Sequence, residues 1–153
     1  MNFYRDILYR YYDEGFILTR QLQDVSPKNK LYPFTDVDEL TEFVEGKPSI
    51  YHNIMVGSKD NTNGKASMIY GSTLHLDLDI LKDACGGDFK NYQTFEDMAI
   101  RHLDADEILC QYSAIVKSGG GLHVYYSLPE KTHKDDLLNK WNAFKAYAQD
   151  SPF

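Results

Sequence analysis

The stretch Leu74-His75-Leu76-Asp77-Leu78-Asp79-Ile80 alternates strictly between apolar and polar side chains. Because successive side chains of a β-strand point to opposite faces, this pattern predicts a strand from Leu74 to Ile80 with one buried apolar face. The opposite face carries His75, Asp77 and Asp79. With about 3.3 Å of rise per residue, the two aspartate Cα atoms of such a strand lie roughly 6–7 Å apart.

The two aspartates indicate a divalent cation. Two carboxylates this close repel each other unless a positive charge lies between them. Their oxygen atoms are ligands that suit Mg²⁺ or Mn²⁺. Aspartate is also a poor strand former, so two of them on one strand need an explanation. The alternative is an amphipathic edge strand with two solvated aspartates. Asp77 and Asp79 are therefore candidate metal ligands, with both interpretations open.

The length and composition are typical of one globular domain, which we predict to cover residues 1–153. We find no segment with the apolar length of a membrane span and no secretory signal at the N-terminus. Cys85 and Cys110 have the spacing of neither a zinc site nor a disulfide framework, which favours reduced thiols in the cytoplasm. A formal net charge of −7 argues against broad binding to duplex nucleic acid, which normally needs a basic surface.

The remaining pattern predicts a mixed α+β (α/β) fold. Apolar residues at helical spacing predict helices over 2–14, from Thr35 to Gly46, from Thr94 to about Leu103 and over 134–148. Short strands are predicted over 16–19, 49–56, 113–117 and 122–128. The segment 26–30 has the composition of a turn, and 58–65 that of a polar surface loop.

The second informative stretch is Ser118-Gly119-Gly120-Gly121-Leu122-His123. Consecutive glycines let the backbone adopt positive φ and bring its N–H groups close to a ligand. A turn of this kind suits a triphosphate, with Ser118 supplying a hydroxyl and His123 an imidazole. The alternative is a plain glycine-rich hairpin with an exposed histidine, because glycine runs are common in turns.

Together, the two stretches resemble the motifs of the archaeo-eukaryotic primase superfamily, and most closely those of phage and plasmid primase-polymerase domains. The first motif of that family is an apolar-Asp-apolar-Asp-apolar strand, which Leu76–Ile80 resembles. The second is a Ser-Gly-x-Gly-x-His-apolar-Tyr hairpin, which Ser118–Tyr125 resembles, and it is the more specific of the two. The resemblance covers the chain from about residue 45 to the C-terminus.

The resemblance implies an RRM-like, antiparallel-rich sheet with packed helices, joined to an N-terminal αβ unit. It implies that Asp77 and Asp79 hold Mg²⁺ or Mn²⁺ ions that bridge the nucleotide phosphates, while His123 contacts the incoming nucleotide. The expected nucleotide-binding residues are Ser118, Gly119, Gly120, Gly121 and His123, with Lys117 as a weaker candidate and Lys82 as another.

The implied activity is transfer of nucleotides from NTP or dNTP onto a primer, directed by a single-stranded DNA template. A fused or associated helicase is a further expected partner. The expected location is the cytoplasm of a host cell, with the gene carried by a phage or plasmid.

The chain departs from the family at the third motif, an acidic residue downstream of the hairpin that precedes an Arg-rich segment. Glu130, Asp135, Asp136 and Asp150 follow His123, but none lies in a clear apolar-Asp strand context. We therefore expect an incomplete catalytic domain that stops short of this motif and is a weak catalyst or inactive.

Three other functions compete with this one. A glycosyltransferase also presents Asp-x-Asp to Mn²⁺ and a nucleotide sugar, but it has no role for the Ser-Gly-x-Gly-x-His hairpin. A replication-initiator nuclease needs a His-x-His motif, and no second histidine lies at that spacing from His123. A non-catalytic RRM-like nucleic-acid-binding domain needs a basic face, which the net charge opposes.

Overall fold

The computed structural model describes residues 1–23, 26–47, 50–58 and 64–150. It has the mixed α+β fold predicted from the sequence, with two antiparallel sheets and packed helices. The strands are β1 (Ile17–Gln23), β2 (Ser26–Phe34), β3 (Ile50–His52), β4 (Met55–Gly57), β5 (Met68–Leu78), β6 (Ala114–Lys117) and β7 (Leu122–His133). The helices are α1 (Val37–Val44), α2 (Ile80–Asp83), α3 (Tyr92–Ala105) and α4 (Lys134–Asp150).

The chain forms two compact units. The first comprises Met1–Thr73 and Leu128–Leu137, and the second comprises Leu74–Ser127 and Leu138–Phe153. Strands β5 and β7 each contribute residues to both units. The single domain expected for residues 1–153 stays a prediction.

In the first unit, β1 lies between β2 and β3 in an antiparallel sheet. Gln21 of β1 pairs with Lys30 of β2, and Gln23 pairs with Ser26, so the turn predicted over 26–30 is wrong. Pairing with β1 at both ends of this segment outweighs its turn-forming composition.

The helix predicted over 2–14 is wrong in extent, because only Tyr4–Leu8 forms a single wide helical turn. Ile7 and Leu8 of this turn are buried. Beyond this turn, tyrosine hydroxyls hold the chain in an irregular path: Tyr9 donates to the Asn53 carbonyl, and Tyr12 donates to the Gly15 carbonyl at 2.8 Å. Hydrogen bonds from tyrosine hydroxyls to backbone carbonyls therefore fix this segment in place of helical hydrogen bonds.

Two further elements in the first unit differ from the predictions. The cap of α1 is Asp36 rather than Thr35, because its carboxylate accepts a hydrogen bond from the Asp38 amide at 2.7 Å. The strand predicted over 49–56 forms as two short strands, β3 and β4, which belong to different sheets. Residues 48–49 and 59–63, on which parts of two predictions fall, lie outside the described residues.

The four-stranded sheet has the order β4-β5-β7-β6. In the first unit, β4 pairs with the N-terminal half of β5, with Met55 opposite Gly71. In the second unit, β6 pairs with β7, with Val116 opposite His123. The chain order β5-α2-α3-β6-β7-α4, with β7 between β5 and β6, agrees with the RRM-like sheet and packed helices that the family resemblance implies.

The core of the second unit is formed by α3, α4 and the apolar face of β7. Leu103, Leu109, Leu122 and Val124 are fully buried. Removing a leucine side chain of this kind from water stabilises the folded state by about 1.5–3 kcal/mol. Tyr126 extends this core, because its ring packs edge to face with Phe144 and its hydroxyl donates to the Leu109 carbonyl at 3.0 Å.

Two predicted elements of this region are extended in the structure. Helix α3 begins at Tyr92, with Asn91 as its cap, rather than at Thr94. Strand β7 continues to His133, beyond the predicted end at Leu128. Over the described parts of the chain, the helices lack the combination of length and apolar character that crossing a membrane requires.

Candidate nucleotide and metal site

The C-terminal end of β5 separates the two candidate metal ligands. Asp77 lies on the strand and is exposed, between the buried Leu76 and the half-buried Leu78. The strand ends at Leu78, so the prediction that it continues through Asp79 to Ile80 is wrong. Asp79 leaves the extended conformation (φ −82°, ψ 75°) and caps α2, with its Oδ1 accepting a hydrogen bond from the Lys82 amide at 3.2 Å. Aspartate favours this capping position over a strand interior.

The structure brings His123 of β7 next to Asp77. The Nε2 atom of His123 lies 3.5 Å from Oδ1 of Asp77, and the imidazole is half-buried. The two residues are 46 positions apart in the sequence (123 − 77) and come from the two separate motifs. The polar faces of β5 and β7 therefore coincide at this point.

The glycine hairpin between β6 and β7 packs against the end of β5. The Gly120 carbonyl accepts a hydrogen bond from the Leu81 amide at 2.8 Å. A Cβ atom at Gly121 would lie 1.9 Å from the Leu78 carbonyl oxygen, so only glycine allows this approach. Gly119 has a φ of +87°, which also favours glycine.

The hairpin leaves several hydrogen-bonding groups without a partner within the described part of the chain. These are the Ser118 hydroxyl and the amides of Gly119 and Gly120. The Ser118 amide closes the turn by donating to the Gly121 carbonyl at 3.0 Å. Two amides and one hydroxyl on an exposed turn are donors of the kind that bind phosphate oxygens.

Lys117 lies on the other face of the sheet. In the register of β6 and β7, Lys117 is opposite Leu122, whereas Val116 is opposite His123. Its ammonium forms an ion pair with Glu96 of α3, a carboxylate that is only 2% exposed. The structure therefore places Lys117 and His123 on opposite faces of the sheet, and the nucleotide contact of Lys117 stays a prediction. The Lys82 side chain is exposed on α2.

The Lys117 ammonium has a clear electrostatic role at Glu96. The hydrogen bond that it donates lowers the pKa of the Glu96 carboxyl, against the opposing effect of burial. The same bond raises the pKa of Lys117. The pair therefore holds a buried carboxylate in its charged form and fixes β6 to α3.

We expect the substitution Lys117→Met to lower the melting temperature at neutral pH by several degrees, because it leaves a buried carboxylate without its cation. The double variant Glu96→Gln with Lys117→Met removes both charges and should lower the melting temperature by less than Lys117→Met alone. The folded-state pKa of Glu96 is the lower one, so the stability from this pair is present above the ordinary value of 4.5 and is lost as the pH falls below it. Thermal unfolding followed from neutral to acidic pH checks this, and equal melting temperatures for wild type and Lys117→Met at neutral pH would contradict it.

Four residues near Asp77 were not identified as site residues from the sequence. The His75 ring stacks with Trp141 of α4 and with Tyr125 of β7, at centroid distances of 5.1 and 6.3 Å. The Trp141 indole donates to the His75 carbonyl at 3.0 Å. Lys145 places its ammonium 4.3 Å from the centre of the Trp141 ring. The alternation of His75 with Asp77, and the i, i+4 spacing of Trp141 and Lys145, are the signals that mark this cluster.

Burial lowers the pKa of His75 to about 4, with smaller contributions from the charges around it. The imidazole is therefore neutral at physiological pH and serves as an aromatic support for Trp141.

The two aspartates open onto different cavities. Asp77 lines a cavity of about 370 Å³ together with His75, Trp141 and Lys145. Asp79 lines a second cavity of about 500 Å³ together with apolar side chains of α3 and with His102.

The donor chemistry at this end of β5 fits a hard divalent cation. Within the described residues, no group of three or more His, Cys, Asp or Glu side chains is arranged to hold a metal ion. Mg²⁺, however, is commonly bound through one or two carboxylates and completes its coordination with water and substrate phosphates. Asp77 and Asp79 are both exposed and are carboxylates of this kind.

Comparisons of this chain with protein-family models, with curated proteins and with solved structures gave no match.

Proposed function

We propose that this protein is a nucleotidyltransferase of the primase-polymerase type, which transfers nucleotides from NTP or dNTP onto a primer on a single-stranded DNA template. The observation that carries the proposal is the convergence of the two motifs at the end of β5. His123 lies 3.5 Å from Asp77, and the hairpin that precedes His123 packs on the Leu78 carbonyl. This convergence supports one site that contains the Asp77 carboxylate, an imidazole and free amides.

The hairpin would bind the terminal phosphates of the nucleotide. The amides of Gly119 and Gly120 and the hydroxyl of Ser118 have no other partner within the described residues and would donate to phosphate oxygens. The imidazole of His123 would contact a phosphate oxygen from the side of Asp77. These groups position the triphosphate and stabilise charge on it, and they need not transfer a proton.

Asp77 and Asp79 are the residues that would hold Mg²⁺ or Mn²⁺. When bound, such an ion supplies charge compensation for the triphosphate and lowers the pKa of the attacking hydroxyl. In the reaction itself, the primer 3′-oxygen forms a bond to the α-phosphorus while the bond between the α-phosphorus and the α–β bridging oxygen breaks. Pyrophosphate leaves, and the hydroxyl proton passes to water.

The biological setting belongs to the same proposal. A primase-polymerase of this type would act in the cytoplasm of a host cell, encoded by a phage or plasmid, beside a fused or associated helicase.

Nucleotide binding tests this function. A nucleoside triphosphate with Mn²⁺, at about one hundred times its dissociation constant, should stabilise the folded protein by about 2.7 kcal/mol. For a chain of this length, this corresponds to a rise of about 5–10 °C in melting temperature. The double variant Ser118→Ala with His123→Ala should lose most of this rise, because it removes two of the phosphate contacts.

His133→Ala is the matched control, because His133 is an exposed histidine of the first unit. It should retain the full rise in melting temperature. Greater stabilisation by a UDP-sugar than by any nucleoside triphosphate would instead favour a glycosyltransferase. An equal rise in the Ser118→Ala/His123→Ala variant and in wild type would overturn the assignment of the hairpin.

A further inference from the structure

The cavity beside Asp77 has the features of a second binding site. It measures about 370 Å³ and lies between β5 and α4 within the second unit. Its polar lining comes from His75, Asp77, Lys145 and Gln149, and Trp141 forms an aromatic wall. Nothing in the proposed triphosphate contacts uses this cavity apart from Asp77.

Lys145 gives the cavity a fixed positive charge. Its ammonium lies 4.3 Å from the centre of the Trp141 ring, and Trp141 is itself fixed by stacking on His75 and by its hydrogen bond to the His75 carbonyl. No carboxylate of the described residues lies within ion-pair distance of this ammonium. In a chain with a formal net charge of −7, a half-buried lysine that has no carboxylate partner among the described residues and lies beside a cavity points to an anionic ligand.

The direction of the reaction indicates which anion this is. The hairpin packs on Leu78, at one end of the row of polar residues on β5. His75 lies three residues before Leu78, or about 10 Å along the strand, and Asp77 lies between them. In phosphoryl transfer, the attacking and leaving oxygens are roughly in line on opposite sides of the phosphorus. With the leaving pyrophosphate at the hairpin, the attacking 3′-hydroxyl enters from the side of His75 and Lys145.

We infer that the cavity between β5 and α4 binds the 3′ end of the primer strand, and that Lys145 contacts its terminal phosphodiester. This inference rests on the proposed function, because the position of the hairpin-bound triphosphate sets the direction of attack. Lys145 is then a binding residue for the second substrate, and Trp141 and His75 position it.

Binding of a short single-stranded DNA with a free 3′-hydroxyl tests the inference, measured with the full chain in EDTA over a range of salt concentrations. Lys145→Gln should weaken binding about threefold to tenfold and reduce the slope of log affinity against log salt by about 0.7, the value for one phosphate of a single strand. Lys145→Arg should retain most of the affinity. Lys140→Gln removes the same charge from an exposed position of α4 and should behave as wild type.

A second measurement separates this inference from the proposed function. Lys145→Gln should leave the affinity for a nucleoside triphosphate with Mn²⁺ within about twofold of wild type, because the hairpin supplies those contacts. Equal loss of DNA affinity in Lys145→Gln and Lys140→Gln, or unchanged DNA affinity in both, would overturn the inference. The proposed function would still stand if the wild-type protein binds a nucleoside triphosphate. Loss of triphosphate affinity without loss of DNA affinity would place the nucleotide, and not the primer, at Lys145. A wild-type protein that binds no triphosphate would overturn the proposed function itself.

Discussion

Replacing Gly121 with alanine should lower the free energy of unfolding by about 3 kcal/mol and remove nucleotide binding. The added Cβ would lie 1.9 Å from the Leu78 carbonyl oxygen and 2.9 Å from the carbonyl carbon. Both atoms belong to the backbone, so no change of side-chain rotamer relieves the contact, and the hairpin must move away from β5. Overpacking against a rigid neighbour typically costs about 1–3 kcal/mol, and this contact lies at the severe end.

Gly120→Ala is the matched control for this prediction. Its Cβ would lie 3.8 Å from the Leu81 Cβ, an ordinary van der Waals contact, so the change should stay within about 0.5 kcal/mol. Gly119→Ala meets no atom within 4 Å but sits at a φ of +87°, which costs about 1–2 kcal/mol. Urea unfolding of the three variants should show the largest loss of stability in Gly121→Ala, a smaller loss in Gly119→Ala and the smallest in Gly120→Ala. Equal stability of the Gly121→Ala and Gly120→Ala proteins would show that the hairpin does not rest on β5.

The substitution Asp77→Asn should reduce the Mn²⁺-dependent affinity for a nucleoside triphosphate by at least about a hundredfold. The amide keeps the shape of the side chain but loses the charge that attracts a divalent cation. Loss of a group that merely orients a metal ligand costs about 10–100-fold in metal affinity, so loss of a ligand should cost at least the upper value. Isothermal titration with and without Mn²⁺ measures the effect, and the metal-free affinity should change little.

Two further variants sharpen this comparison. Asp79→Asn should act in the same direction without unfolding α2, because asparagine is as good a helix cap as aspartate. Asp97→Asn removes the same charge from an exposed position of α3 and should leave the affinity unchanged. An equal loss in Asp97→Asn and Asp77→Asn would show that net charge, and not a metal site, governs nucleotide binding.

The strand that carries Asp77 was predictable from the sequence, but its end was not. Alternation from Leu74 to Leu78 gives both the strand and its two faces, and the structure keeps this pattern. The same alternation continues through Asp79, where the capping preference of aspartate overrides it. The apolar-polar pattern alone does not show whether Asp79 continues the strand or caps a helix, because an aspartate is compatible with both positions.

The hairpin was predictable as a turn, whereas its position depends on distant residues. The glycine run identifies the turn between β6 and β7. Because successive side chains of a strand point to opposite faces, the sequence also places the side chains of Lys117 and Ser118 on opposite faces. The contact of Gly121 with Leu78, however, joins residues 43 positions apart (121 − 78). The pairing of Lys117 with Glu96 likewise depends on how α3 packs on β6, which the local pattern does not encode.

The cluster of His75, Trp141 and Lys145 could not be predicted from the amphipathic pattern of α4. Helical spacing on α4 assigns Trp141 to a buried stripe, and the residue is indeed half-buried. The same spacing says nothing about which strand it meets. Only the structure therefore shows that Trp141 stacks on His75 and that Lys145 lines the same cavity as Asp77.

The claim that two distant motifs form one nucleotide site is tested most directly by amide NMR during titration with a nucleoside triphosphate and Mg²⁺. We expect the largest chemical-shift changes to appear together in Asp77–Asp79 and in Ser118–His123, with one common dissociation constant, and we expect Asp77→Asn to remove both sets. Changes in only one of the two segments, or changes concentrated around the α3 cavity at Phe95 and His102, would contradict it.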